Sequence, residues 1–482
     1  MYRTRGFSLI EVLIAMSILV MVFGATIILT AGNQNAVVDS ETNSEALNIS
    51  QGLLEDAQAK ARKDFNLVNP YASSSVDGFY TSEVGVVLSD DYLLKTVTAT
   101  TSWDGQYGRE RYVTLTTLIA NFTNTAGANT CDSTVIGEDW SSPQVRNGTT
   151  DFGALTGLPG TYPITDIDAY QNRLYVATNN PGGPASQDTL LVFDSSDPDT
   201  LSQSDLLTYL DTDTGNSTGL GAVVAVKKGA TTYALVANRS SVTKGQFQVV
   251  KTEPLPASVL KSLPIPGLTT GFGNSLFYKD GYAYLGLTAT GGQGKEFNII
   301  DVHDIDDPAW RGAVTSGNHD VNAIFAKEGF AFIGTPGSAK FSTVDIGDPV
   351  NPSIIDTYAG SGNTGKSVYG VGDQLYIGTT AGGAQYEVVD ASNPASLLSG
   401  GITKSFSGSV DGIIVRDSLA FVLTKSSLEI INATSTATIG SFSLPTNVTS
   451  YEPTFDCEGD TIYIGAYDST AGQSVLYAIG PS

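Results

Sequence analysis

The sequence predicts an α+β stem, a long N-terminal helix plus a small antiparallel sheet, followed by an all-β propeller of seven blades. Three observations predict it. A charge-free apolar run, Val12–Leu29, passes into an amphipathic helical pattern that stops at Asn69-Pro70. Two alternating segments then flank a Gly-containing turn. Beyond residue 160, an aromatic-apolar-small segment recurs seven times at intervals of 42 to 60 residues. Composition agrees: of 482 residues, 52 are Gly, 22 Tyr and 19 Phe, and only 15% are charged. A disordered chain would be richer in charge and poorer in aromatics, and a helical bundle richer in Ala, Glu, Lys and Leu.

The helix comes first. Residues 1–6 carry Arg3 and Arg5, which puts this end in the cytoplasm and the C-terminus outside. The apolar run with its flanks is long enough to span a hydrocarbon core of about 30 Å. No convincing small-x-small cleavage site follows it, so the segment reads as a single-pass anchor. Glu11 lies inside the apolar stretch, where a carboxylate is costly and calls for a cationic partner. The arrangement Arg5-Gly6-Phe7-Ser8-Leu9-Ile10-Glu11 resembles the class III signal of type IV pilins and type II secretion pseudopilins. That resemblance implies cleavage by a prepilin peptidase after Gly6 and N-methylation of the new N-terminal Phe7. It also implies that Glu11 pairs with the α-amine of a neighbouring pilin subunit, neutralising two charges that neither subunit could bury alone. The leader is thus 1–6 and the membrane or filament helix 7–66. Its second half presents Ala46, Ile49, Leu53, Ala57 and Ala61 on one face, ready to pack on a sheet.

The sheet occupies 67–122. Tyr92–Trp103 alternates Val97, Ala99, Thr101 and Trp103; Arg109–Asn121 alternates Val113, Leu115, Thr117 and Ile119. Val84–Leu88 is a third strand. The hairpin is similar to the end of small minor-pilin heads. Residues 123–150, rich in Asn, Thr, Gly and Ser, read as a linker.

Residues 151–482 form the repeat array. Its markers are RLYVAT (Tyr175), YALVAN (Leu235), YAYLGL (Tyr284), FAFIGT (Phe332), QLYIGT (Tyr376), LAFVLT (Phe421) and TIYIGA (Tyr463). Each is preceded and followed by strands, and a four-stranded unit at this period predicts a β-propeller. Third strands end in Asp-x-x-Asp/Asn-Pro at Asp194, Asp345 and Asp390, and in a longer form at Asp301. This unit resembles the LVIVD repeat of bacterial surface propellers. The aspartates read as makers of Asx-type turns, with Pro ending the strand. The seventh unit supplies only three strands, and Phe152–Pro159 matches fourth-strand segments, so it is expected to close the ring. Cys457, expected between the first two strands of that unit, pairs with Cys131 in this topology, outside the cytoplasm where disulfides persist. The alternative is two buried thiols.

Sites for chemistry are few. His303 and His319 lie among several aspartates, but two histidines argue against a zinc enzyme. Asp211-Thr-Asp213-Thr-Gly215-Asn216 has part of a calcium loop but lacks the later acid ligand, so a solvated turn is favoured. No cofactor is predicted. The formal charge of −24 disfavours nucleic acid. The expected function is a minor type IV pilus-like subunit, anchored in the inner membrane and then displayed on the pilus or cell surface. Its propeller would bind a surface, glycan or protein and would not be an enzyme. The alternatives are a surface-anchored carbohydrate-active propeller and a type II secretion pseudopilin.

Overall fold

A computed structural model describes residues 9–63, 68–74, 79–88, 94–104, 109–120, 130–131, 139–146, 150–151, 163–179, 189–212, 219–228, 231–239, 245–380, 382–416, 418–445 and 453–482. The chain divides into two compact units. The first holds residues 1–62, 68–89 and 94–119; the second is essentially Ala120–Ser482.

In the first unit, helix α1 (Leu9–Lys63) runs for 55 residues, about 80 Å at the α-helical rise. Ile10, Leu13, Met16, Val20, Phe23 and Ile27 of its first half are exposed. Side chains at 11, 12, 15 and 28 lie outside the description. Among the described residues no helix is long and apolar enough to cross a membrane. The second half buries Ala46, Ser50, Leu54 and Ala57. Small side chains at three of these positions let the sheet approach closely. Of the expected stripe Ala46, Ile49, Leu53, Ala57 and Ala61, Ala46 and Ala57 are buried and the other three half-buried, while Ser50 and Leu54 are buried beside them. The sheet has four strands in order: β1 (Tyr71–Ser74), β2 (Tyr80–Leu88), β3 (Leu94–Asp104) and β4 (Glu110–Ala120). Val97, Ala99, Thr101 and Trp103 are buried, as the alternation predicts. Ala46 packs with Tyr80 and Trp103, and Ser50 Oγ donates to Thr101 Oγ1 at 2.8 Å. The β1 strand was not expected; at four residues it is too short to show alternation.

Among the described residues the second unit contains seven sheets. Blade 1 comprises Ile164–Ala169, Arg173–Thr178, Leu190–Asp194 and Leu206–Leu210. Blade 2 comprises Leu220–Lys228, Thr231–Asn238, Phe247–Lys251 and Ser258–Leu263; blade 3, Gly273–Lys279, Tyr282–Leu287, Phe297–Asp301 and Ala309–Val314. Blade 4 runs Ala323–Lys327, Phe330–Gly334, Phe341–Asp345 and Ser353–Tyr358; blade 5, Gly365–Val371, Gln374–Thr379, Tyr386–Asp390 and Leu398–Lys404. Blade 6 runs Val410–Arg416, Leu419–Thr424, Ser427–Asn432 and Thr438–Ser443. Blade 7 has Thr454–Gly459, Thr461–Asp468 and Gln473–Gly480. The first strand of each blade packs on the first strand of the next, and that of blade 7 packs on that of blade 1, so the ring is closed. The repeat markers are the second strands, buried on both faces, which is why they read as continuous apolar runs. Their small residue has a steric cause. A Cβ on Gly286 would lie 2.1 Å from Ser275 Oγ, and one on Gly378 2.1 Å from Ser367 Oγ.

Phe152–Pro159 lies outside the described residues, and the outer edge of Gln473–Gly480 is taken by earlier residues. Gln144 and Val145 pair with Gly480 and Ile479, and Thr150 and Asp151 pair with Leu476 and Val475. The stretch read as a linker therefore contributes to the last blade. Its register shifts by two residues between these pairs, which hides it from a pattern search. Thr130–Cys131 adds a parallel pairing to Glu458–Gly459 on the other edge. Cys457 lies within the first strand of blade 7, not after it, and is 1% exposed. Trp140 is buried against the Phe421 ring, with centroids 4.8 Å apart. Arg146 binds Asp199 of blade 1 at 2.6 Å and also reaches Asp460 and Thr461 of blade 7.

Candidate functional site: the seam of the ring

The repeated aspartates are turn formers. Asp194 Oδ1 accepts the Ser196 N–H at 3.0 Å, Asp301 that of His303 at 2.9 Å, Asp345 that of Gly347 at 2.9 Å and Asp390 that of Ser392 at 2.9 Å. The second acidic or amide residue of each motif repeats the bond, as Asp348 does with the Val350 N–H at 3.0 Å. Each carboxylate thus closes its own turn and orders the step from third to fourth strand. His303 belongs to one of these turns, its Nδ1 2.8 Å from Asp301 Oδ1. Burial pushes Asp301 up, but the His303 N–H and Arg311 outweigh it and hold it at about 2. His319 lies in a separate turn, where its carbonyl accepts the Ser316 hydroxyl at 2.6 Å. Among the described residues no three His, Cys, Asp or Glu side chains are grouped to hold a metal ion. Asp213, Gly215 and Asn216 of the Asp211 loop lie outside the described residues, as do Gly6 and Phe7. Glu11 lies in α1, its side chain outside the description.

A different set of carboxylates is concentrated where the ring closes. Asp166 and Asp168 stand two apart on the first strand of blade 1; Asp456 and Glu458 stand two apart on the first strand of blade 7. Residues two apart in a strand share a face, and each of these reaches into the following blade. Asp456 Oδ2 accepts the Ala169 N–H at 2.8 Å, and Glu458 accepts the Asn172 N–H at 2.9 Å. Asp166 Oδ2 accepts the Val223 N–H at 2.9 Å, and Asp168 Oδ2 accepts the Ala225 N–H at 2.8 Å. Burial pushes Asp456 up to about 7, with Asp166 adding repulsion and Arg416 opposing it. Burial also raises Asp166 and Glu458 to about 7, and it raises Asp168 well above the usual range, reinforced by Asp456. Asp456 is 8% exposed, whereas Asp166 and Asp168 keep partial contact with solvent. Asp456 is therefore the member of the group best shielded from solvent, in keeping with the burial that raises it. The sequence search missed this cluster because its members are nearly 290 residues apart and look like ordinary polar alternation.

Residues 1–27 match the prokaryotic N-terminal methylation motif. The chain therefore carries a class III prepilin N-terminus ahead of a β-propeller. The prepilin motif implies processing by prepilin peptidase, anchoring in the inner membrane and pilin-like assembly into surface structures. None of the curated proteins matches the chain. Among solved structures, the WD40 β-propeller domain of Doa1 is similar at 12% identity and a TM-score of 0.47. It covers 70% of this chain and 97% of its own. The WD40 domain of Neurospora crassa Pan2 is similar at 13% identity with the same TM-score, covering 70% of this chain and 96% of its own. The propeller assignment rests on the sheet order and the closed ring, not on these likenesses.

In this prepilin-headed chain, all four seam carboxylates are engaged with backbone N–H groups of the neighbouring blade. Their geometry is that of a structural clasp.

Proposed function

We propose that the protein is a minor subunit of a type IV pilus-like filament that displays its propeller outside the cell for adhesion or ligand binding. The observation that carries this reading is the methylation motif at residues 1–27 on a chain whose second unit is a closed propeller. In this reading peptidase cleaves after Gly6, Phe7 is methylated, and Glu11 meets the α-amine of a neighbouring subunit. A head of more than 300 residues is far bulkier than a four-stranded pilin sheet, which favours sparse or terminal placement over a bulk role. The Asp-x-x-Asp-Pro turns are in keeping with an LVIVD-type propeller. A Cys131–Cys457 bridge belongs to the same reading. It is supported by the backbone register, which sets Cys131 opposite Gly459, two residues along from the buried Cys457. Such a bond would persist outside the cytoplasm.

Replacing Glu11 by Val or Gln tests the assembly role. The variant should enter the membrane normally but be strongly depleted from sheared filaments, measured by quantitative immunoblotting of both fractions. Incorporation at the wild-type level would reject the pairing. The binding role is tested by comparing filaments with and without the subunit on glycan and cell-surface panels; identical profiles would remove it.

A further inference from the structure

We propose that blade 1 is a pH-sensitive clasp of the ring, held tightly in mildly acidic medium and loosened as the carboxylates on its two flanks ionise together. Both flanks of this blade depend on carboxylate-to-backbone bonds. Asp456 and Glu458 bind into it from blade 7, and Asp166 and Asp168 bind out of it into blade 2. At the joins of blades 3 to 6, neutral side chains make bonds at or beside the first strands. Ser275 Oγ donates to the Val321 carbonyl at 2.7 Å, Asn322 Nδ2 to the Gly365 carbonyl at 2.9 Å, and Ser367 Oγ to the Val410 carbonyl at 3.4 Å. Titratable groups occur there too, Asp356 Oδ2 accepting the Leu397 N–H at 2.6 Å and Asp320 Oδ1 the Ala289 N–H at 2.7 Å, but among the described residues the paired carboxylates on successive first strands are those that flank blade 1.

The groups facing the clasp set the direction of its response. Asp168 feels Asp456, Asp166 and Glu458, all of its own sign, with the tyrosines at 170 and 175 nearby. Asp456 feels Asp166 and, in opposition, Arg416; Glu458 is opposed by Arg173. Thr454 contributes a hydroxyl to Asp166 at 3.4 Å. Negative charge thus outnumbers positive around blade 1. The carboxylates are held above their unfolded values, so the folded ring favours their protonated forms. The stability they contribute is complete below the unfolded value of about 4 and is lost as pH rises through about 7. A protonated carboxyl still accepts an N–H through its carbonyl oxygen, so the cross-blade bonds survive acid.

Hydrogen exchange of the full chain in detergent micelles, corrected for intrinsic exchange rates, reads this directly. Between pH 5.5 and pH 8.5, protection at the amides of Ala169, Asn172, Val223 and Ala225 should fall at least about tenfold more than at first-strand amides of blades 4 and 5. Asp168→Asn and Asp456→Asn, which remove the charge and keep an acceptor, should each flatten that difference. Ser367→Ala, at a neutral join, should leave it unchanged. An equal change in all blades of the wild-type protein would overturn the proposal whether or not the variants fold. So would a full response persisting in both Asn variants.

Discussion

Asp345 shows how one side chain can be read as a ligand or as a turn. Its carboxylate accepts the Gly347 N–H at 2.9 Å, and its backbone pairs with Phe330 and Ser353 in blade 4. An amide oxygen can take the same bond, so Asp345→Asn should leave thermal stability nearly unchanged. Asp345→Ala should lose about 1 kcal/mol, the net worth of one such hydrogen bond. Calorimetric melting of both variants checks this; equal destabilisation would mean that the charge, not the acceptor, matters. This role was legible in sequence, because Asp or Asn two residues before an amide, with Pro following, is a local signal. The roles of Asp166, Asp168, Asp456 and Glu458 were not legible. Their partners are backbone groups of other blades, and only the closed ring brings residues 166 and 456 to one seam.

The element that decides the integrity of the propeller is the segment 139–151. Trp140 fills a pocket with Phe421, residues 144–145 and 150–151 cover the last strand, and Arg146 joins blades 1 and 7. Without it, the strand Gln473–Gly480 would present an unpaired edge, an open template for association. A chain shortened to begin at Asn129 should stay monomeric and melt cooperatively. One beginning at Thr161 should melt well below it and associate, as read by light scattering and circular dichroism. Equal melting would show that the pairing of 144–151 adds nothing. The sequence placed the missing fourth strand on the N-terminal side at Phe152–Pro159, which lies outside the described residues, and did not show the pairing of 144–145 and 150–151. Fourth-strand segments resemble one another in composition, whereas the observed pairings are two short pieces with a register shift between them. The seven second strands, by contrast, were plain in the sequence, because burial on both faces forces aromatic, β-branched and small residues into a repeated order.

At the scale of the whole molecule, two units with different physics share one chain. The stem helix begins with an apolar half that carries one acid, Glu11, and the second unit is a propeller in a chain of formal charge −24. The N-terminal motif was legible locally, around Gly6, Phe7 and Glu11, and residues 1–27 match the methylation motif. The binding role proposed for the propeller was not written in this way, because binding surfaces on such a ring are assembled from loops of many blades. Central to the proposed function is that the stem is processed and assembled as a pilin. Intact-mass and N-terminal peptide analysis of the protein recovered from purified filaments tests that claim most directly. The account predicts a chain beginning at N-methylated Phe7, and a Gly6→Ala variant retained uncut in the inner membrane. Filament-borne protein that still begins at Met1 would contradict it.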